Sequence, residues 1–356
     1  MKADGISKYS FINAKLRARI SKILPGELFS QVARASSVDA ALALLRETSF
    51  APIEQTYART GDLKQVELDL LKNEIDLYRQ IHTYLPSGPG LMVEALLCRF
   101  EIDNLKNAIR LFFSNNIRKS FDPEGAHYIL YERIIHKLPI DLIINAGNFS
   151  EVSGLCKESP YGKIINQHSH DVESGGSLFP LESALDLFYY KNLLDAINRL
   201  DSGDRDIALR LTGVEIDLQN IAWMIRFRQF YNLPRKQILS SIIPGGISFN
   251  KPDAEKFLDS DNMTLAIQDL VKKTHPGLSS ILASQRSDST SQLLLIDRIL
   301  NEIRKHEVQK ILTGYPFTIG IILAYFVLKT EELKKIRILL NAKQYGKSAD
   351  KIESMI

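Results

Sequence analysis

Cysteine is almost missing from this chain: of 356 residues only Cys98 and Cys156 carry a thiol. That excludes a disulfide-stapled scaffold and a zinc site built on cysteines, and it suits a reducing compartment. Charge of one sign is lacking as well, because 45 Lys and Arg stand against 42 Asp and Glu, a formal net charge of +3. Nucleic-acid binders concentrate basic charge on one face, so charge names no partner here. Nor does any apolar run reach the roughly 20 residues of a spanning helix. The nearest, TGYPFTIGIILAYFVL from Thr313 to Leu328, is uncharged but contains Pro316. Proline is tolerated in a first turn, so this run predicts a buried central helix begun near Pro316. The opening MKADGISKYSFINAKLRARI has neither the unbroken apolar stretch nor the cleavage site of a secretory signal, and the chain is expected in the cytosol.

Signatures of catalysis are equally scarce. The stretch NAKQYGKS, Asn341 to Ser348, ends as a phosphate-binding loop ends, but the first glycine of that motif is Asn341 here. The preceding TEELKKIRILL has helical spacing at Leu333, Ile336 and Leu340, whereas a phosphate loop follows a strand. A helix C-terminus with a turn glycine is expected instead. His168, His170, Asp171 and Glu173 offer metal-ligand types, yet GKIINQHSHDVESGGSLFP is polar and glycine-rich and predicts an exposed linker. Ser174-Gly175-Gly176-Ser177 lacks the G-x-S-x-G of a nucleophile elbow. Glu67 and Asp69 point to different helix faces and make a poor acid-base pair. The expectation is no catalytic residue, no metal and no cofactor.

What the chain does have is helix. With 45% hydrophobic residues it can bury the cores of two or three domains. Leu68, Leu71, Ile75 and Tyr78 recur at spacings of a helix face, and Leu187, Tyr190, Leu194 and Ile197 repeat the pattern. Turn chemistry predicts breaks at 86–90, 201–204, 244–246 and 275–277. No alternating stretch is long enough to demand a sheet. The fold class expected is all-α.

Laid against itself, the chain shows four landmarks in the same order three times. An aliphatic-proline pair comes first: Leu24-Pro25, Leu138-Pro139, Ile243-Pro244. A short helix follows, closed by a hydroxyl at Thr48, Ser159 and Thr274; its apolar positions match as Ala41, Val152 and Ile267, then Leu44, Leu155 and Leu270, then Leu45, Cys156 and Val271. Next is an aliphatic-Asp pair in a long helix: Leu68-Asp69, Leu185-Asp186, Ile296-Asp297. Last is an acid with aliphatics at i+4 and i+8: Glu101, Leu105, Ile109; Asp217, Ile221, Ile225; Glu332, Ile336, Leu340. The hydroxyl and the acid each recur after about 111–116 residues. Three similar helical domains are therefore expected, 1–117, 118–232 and 233–356, the third with a short C-terminal tail. Such a triplication suggests a pseudo-threefold arrangement, and its closing helices should bury an aliphatic stripe topped by a carboxylate that is itself hydrogen-bonded.

Two smaller features complete the reading. Lys15, Arg19 and Lys22 share a helix face, which is either solvated or a contact for acidic loops or lipid headgroups. Trp223, the single tryptophan, lies between Ile221 and Ile225 and is expected in the core.

The stretches YSFINAKLRARISKILPGELFSQVARASSVDAALALLRETSF, FEIDNLKNAIR, EIDLQNIAWMIRFRQFYNLPRKQILSSIIPGG and YPFTIGIILAYFVLKTEELKKIRILL resemble the C subunit of the V/A-type ATPases, whose counterpart in eukaryotic V-ATPases is the d subunit. The resemblance spans nearly the whole chain, and its aromatic after the hydroxyl is Phe50 and Tyr161 here, while the third copy reads Thr274-His275-Pro276. It implies a funnel-like body of three domains on the cytoplasmic face of the membrane, peripheral to it through the proteolipid rotor ring. The central-stalk subunits would enter the funnel cavity, and the protein would transmit torque for proton or sodium transport without catalysing anything itself. The repeat alone is equally compatible with a soluble α-helical scaffold or adaptor unrelated to the membrane.

Overall fold

The computed structural model describes residues 2–117, 128–174, 177–229, 231, 233–247, 249–260, 265 and 289–353. Among them there is helix and no strand. In chain order the helices are α1 (Lys2–Ile20), α2 (Gly26–Arg34), α3 (Val38–Ala43), α4 (Ala51–Thr60), α5 (Leu63–His82), α6 (Ser87–Phe112), α7 (Ile140–Ile144), α8 (Phe149–Cys156), α9 (Gly162–Gln167) and α10 (Ser169–Glu173). There follow α11 (Phe179–Asn198), α12 (Ser202–Gln229), α13 (Arg235–Ser240), α14 (Lys251–Asp259), α15 (Ser289–Thr313), α16 (Gly320–Gln344) and α17 (Ala349–Glu353).

Local chemistry explains the helix ends. Ser37, Asn148 and Asn250 each accept a backbone N–H of the first turn they precede, as N-caps do. Gly61 closes α4 with φ of 64°, a left-handed conformation that side chains resist. Two of the expected breaks end earlier than their spelling suggests. Pro89 and Gly90 sit inside the first turns of α6, and Gly203 inside α12, because helix first turns tolerate residues that punctuate elsewhere. The break at 244–246 is present, and 275–277 lies outside the described residues. Likewise α16 begins at Gly320, with Pro316 in the loop ahead of it, and residues 319–326 are all buried. The stretch expected as an exposed linker is also different: α9 and α10 form there, with Ile165 and Val172 fully buried. The polar majority of that stretch hides two apolar anchors.

The chain divides into two compact units, Met1–Tyr189 with Ile321–Ile356, and Tyr190–Gly320. In the first, a core runs from Leu24 to Leu70 and includes Leu333, Ile336, Leu339 and Leu340 of α16 and Ile352 of α17. Tyr78 of α5 stacks on Phe326 of α16 with centroids 3.8 Å apart. On α5 the buried residues are Leu63, Val66, Leu70, Ile75, Tyr78 and Ile81, with Glu74 among them, whereas Leu68 and Leu71 are half-buried. A helix covered on more than one side shows no single stripe.

In the second unit α12 packs along α15. Arg304 meets Glu215 at 3.2 Å and Arg210 meets Glu307 at 2.7 Å across that contact. Trp223 is buried and lies 5.7 Å from Phe227, centroid to centroid. Asp204 at the start of α12 accepts the Ile319 N–H at 2.9 Å.

Candidate functional site

The three acids singled out by the repetition are all buried: Glu101 is 2% exposed, Asp217 8% and Glu332 2%. A carboxylate in such a place is costly unless hydrogen-bonded, and each one is. Glu101 Oε2 accepts the N–H groups of Ile135 and His136, both at 2.7 Å. Asp217 accepts those of Ile247 and Phe249 at 3.1 Å. Glu332 accepts the N–H of Leu24 at 2.7 Å and pairs with Lys329 at 2.6 Å. Below them Leu105, Ile109, Ile221, Ile225, Ile336 and Leu340 are at most 2% exposed, the stripe the spacing predicts. Gly246 makes room for one clasp, since a Cβ there would fall 1.8 Å from Asp217 Oδ1.

An asparagine three residues on extends two of these clasps. Asn104 donates to the Leu130 carbonyl and accepts its N–H, both at 2.8 Å. Asn220 does the same to Ile243, at 2.9 and 2.8 Å. The acid-x-x-Asn spelling at 101–104 and 217–220 is a signal that sequence reasoning missed, because the third copy places Lys335 there. That lysine instead lies 5.2 Å over the Phe29 ring.

The hydroxyl turns are bonded alike in the first two copies. Thr48 Oγ1 donates to the Leu45 carbonyl at 2.6 Å and accepts the Phe50 N–H at 3.1 Å; Ser159 Oγ donates to Cys156 at 2.6 Å and accepts from Tyr161 at 3.3 Å. Thr274 lies outside the described residues. Each turn delivers a buried aromatic, and Tyr161 OH donates to Glu101 Oε1 at 2.8 Å, 3.2 Å from Cys98 Sγ. Burial, with Cys98 and Glu101 beside it, pushes the Tyr161 phenol far above its ordinary value. Not every matched apolar position is core. Ala41, Val152, Leu45 and Cys156 are fully buried, but Leu44 is 40% exposed and Leu155 only half-buried.

The remaining sequence candidates find structural employment. In NAKQYGKS the N–H of Gly346 bonds to Lys343 O at 3.0 Å and that of Lys347 to Ala342 O at 2.9 Å, with Gly346 at φ of 64°. This is a Schellman helix ending, and the two N–H groups that would cradle a phosphate are already used. His168 Nδ1 is 3.6 Å from Asp171, and among the described residues no group of three His, Cys, Asp or Glu is placed to hold a metal. Gly175 and Gly176 lie outside the described residues. Asp69 accepts the Thr56 hydroxyl at 2.6 Å, and Glu67 meets Asn341. Of the basic run, Lys15 donates to Tyr84 OH at 2.7 Å and Arg19 to Gln80 at 3.0 Å, so both join α1 to the end of α5. Lys22 is exposed at the rim of a cavity of about 360 Å³ that Glu74, Tyr325, Lys329 and Glu332 also line. A second groove, of about 570 Å³, opens between α8 and α9. Among the described residues no helix is long and apolar enough to cross a membrane.

Comparison with known proteins gives one consistent result. The chain is 23% identical over 338 residues to the C subunit of the A-type ATP synthase of Methanosphaera stadtmanae, covering 94% of this chain and 84% of the relative. It is 21% identical over 350 residues to the protein of that name from Pyrococcus abyssi, covering 98% and 90%. The Methanosarcina barkeri protein is 24% identical over 368 residues, covering 100% and 94%. The family described as ATP synthase (C/AC39) subunit matches residues 12–355. With helices across the described residues and that match over residues 12–355, the chain belongs to the C-subunit family of the V/A-type ATPases.

Proposed function

We propose that this chain is a non-catalytic subunit of an A-type ATP synthase or V/A-type ATPase. It couples the central stalk to the membrane proteolipid ring and transmits torque for proton or sodium transport. The observation that carries this reading is the family match over residues 12–355, joined to relatives of the same name along nearly their whole length. The protein lies on the cytoplasmic face, peripheral to the membrane, and its partners are the stalk subunits and the ring. Three similar units, 1–117, 118–232 and 233–356, surround a cavity that receives the shaft. What supports three units is the recurrent clasp, in which an acid at the head of a buried stripe binds backbone N–H groups near an aliphatic-proline landmark.

Affinity purification of the tagged chain from detergent-solubilised membranes tests the assignment. Stalk and proteolipid subunits are expected to copurify, and depletion of the chain is expected to leave ATP hydrolysis by the head uncoupled from ion pumping. Intact membranes that yield neither stalk nor proteolipid would overturn the reading in favour of a scaffold unrelated to the membrane.

A further inference from the structure

Counting from the two hydroxyl turns, Arg46 and Lys157 hold the same place, as do Ala43 and Gly154, and Leu44 and Leu155. The cations are treated differently. Arg46 is answered within the chain, its Nε 3.0 Å from Glu54 Oε2. The place of Glu54 is taken after Ser159 by Ile165, which is fully buried, so Lys157 has no such acid. Among the described residues the ammonium groups of Lys157 and Lys163 make no hydrogen bond or ion pair.

Both lysines line the groove between α8 and α9 together with Ser150, Ser153 and Gly154, and Glu173 adds a carboxylate to the lining. Gly154 is inside α8, where glycine weakens a helix relative to alanine. No described residue asks for it, because a Cβ added there meets no atom within 4 Å. The contrast is Gly162, where a Cβ would lie 2.7 Å from the carbonyls of Cys156 and Lys157 and glycine is obligatory. A glycine that costs helix stability without an internal contact, beside two cations unanswered among the described residues, suits a close-approaching partner backbone that carries acidic side chains.

We infer that this groove docks an acidic segment of a central-stalk subunit, an inference that rests on the coupling function proposed above. Three similar units meeting one shaft need a feature that tells one unit from the next. Here the second copy presents cations with no partner among the described residues where the first closes its own with Glu54.

The test uses the full-length protein and purified central-stalk subunits. Lys157→Glu with Lys163→Glu is expected to weaken binding at least tenfold at low salt, with the melting temperature unchanged. Gly154→Leu is expected to raise the melting temperature, as a better helix former, while weakening binding by filling part of the groove. A photo-crosslinker at Ser153 in the assembled complex is expected to capture a stalk subunit. Wild-type affinity in both variants, or crosslinks confined to proteolipid or lipid, would overturn the inference and leave the coupling function standing. Failure of the wild-type chain itself to bind stalk subunits would overturn both.

Discussion

Glu332 accepts the backbone N–H of Leu24 at 2.7 Å across 308 residues of sequence. The same carboxylate holds Lys329, which in turn lies 4.4 Å over the Phe50 ring. Truncating Glu332 to Ala leaves a buried N–H and a mostly buried ammonium unanswered, at a cost of about 3–5 kcal/mol. Glu332→Gln keeps an acceptor for Leu24 and should lose less. Urea unfolding of the wild type and the two variants checks the order, and wild-type stability in both variants would show that the clasp contributes nothing.

The stripes beneath the acids are core on the same footing. Leu105→Ala, Ile225→Ala and Ile336→Ala should each lower stability by about 2–5 kcal/mol, since each removes several buried methyl or methylene groups. Differential scanning calorimetry reads this directly. Losses below about 1 kcal/mol at all three would mean that the shared spacing is not a shared packing role.

Burial pushes the Cys156 thiol from an ordinary value of 9.0 up to about 12. Between those values the unfolded chain sheds the proton and the folded chain keeps it. The unfolded state therefore binds fewer protons, and stability falls as pH rises from about 9 to about 12. Cys156→Ser should flatten that part of the pH profile. Native protein at about pH 8 should resist iodoacetamide at Cys156, and react only with denaturant present.

Gly346 and Lys347 should separate helix ending from nucleotide chemistry. Gly346→Ala meets no steric neighbour, so only the left-handed φ opposes it, at about 1 kcal/mol. Lys347→Ala should leave ATP-driven activity of the assembled complex intact. Stoichiometric, micromolar ATP binding to the isolated chain, detected by calorimetry, would refute the structural reading of this turn.

Much of this is legible in one sequence. Glu101, Asp217 and Glu332 stand out because an acid at the head of an i+4, i+8 aliphatic row has to find donors, and its ordered recurrence is hard to reach by chance spelling. Their partners are not legible: which N–H groups a buried carboxylate meets is decided by loops far along the chain, and Leu24 is not readable from Glu332. The stripe on α11 shows a different limit. Of Leu187, Tyr190, Leu194 and Ile197, Tyr190 and Ile197 are buried while Leu187 and Leu194 are half-buried, and Leu181, Leu185, Tyr189 and Leu193 are buried beside them, because two overlapping rows of apolar residues share the helix. Leu44 and Leu155 match as apolar positions, yet Leu44 is exposed and Leu155 only half-buried, since repetition marks a shared role without saying whether the role is inside the chain or beyond it. The stretch around His168 misleads for the opposite reason, its polar content outvoting Ile165 and Val172.

The wall that Leu333, Ile336, Leu339 and Leu340 add to the core between Leu24 and Leu70 sets an order on synthesis. A ribosome making about 5–20 residues each second exposes the N-terminal apolar cluster well before it delivers α16. Until then that cluster lacks one side, and the backbone of Leu24 lacks its carboxylate. Helical proteins usually fold quickly through neighbouring contacts, but this closure has the long sequence separation that slows folding. The nascent N-terminal segment is thus obliged to wait, and a chaperone that shields apolar surface has its longest opportunity there.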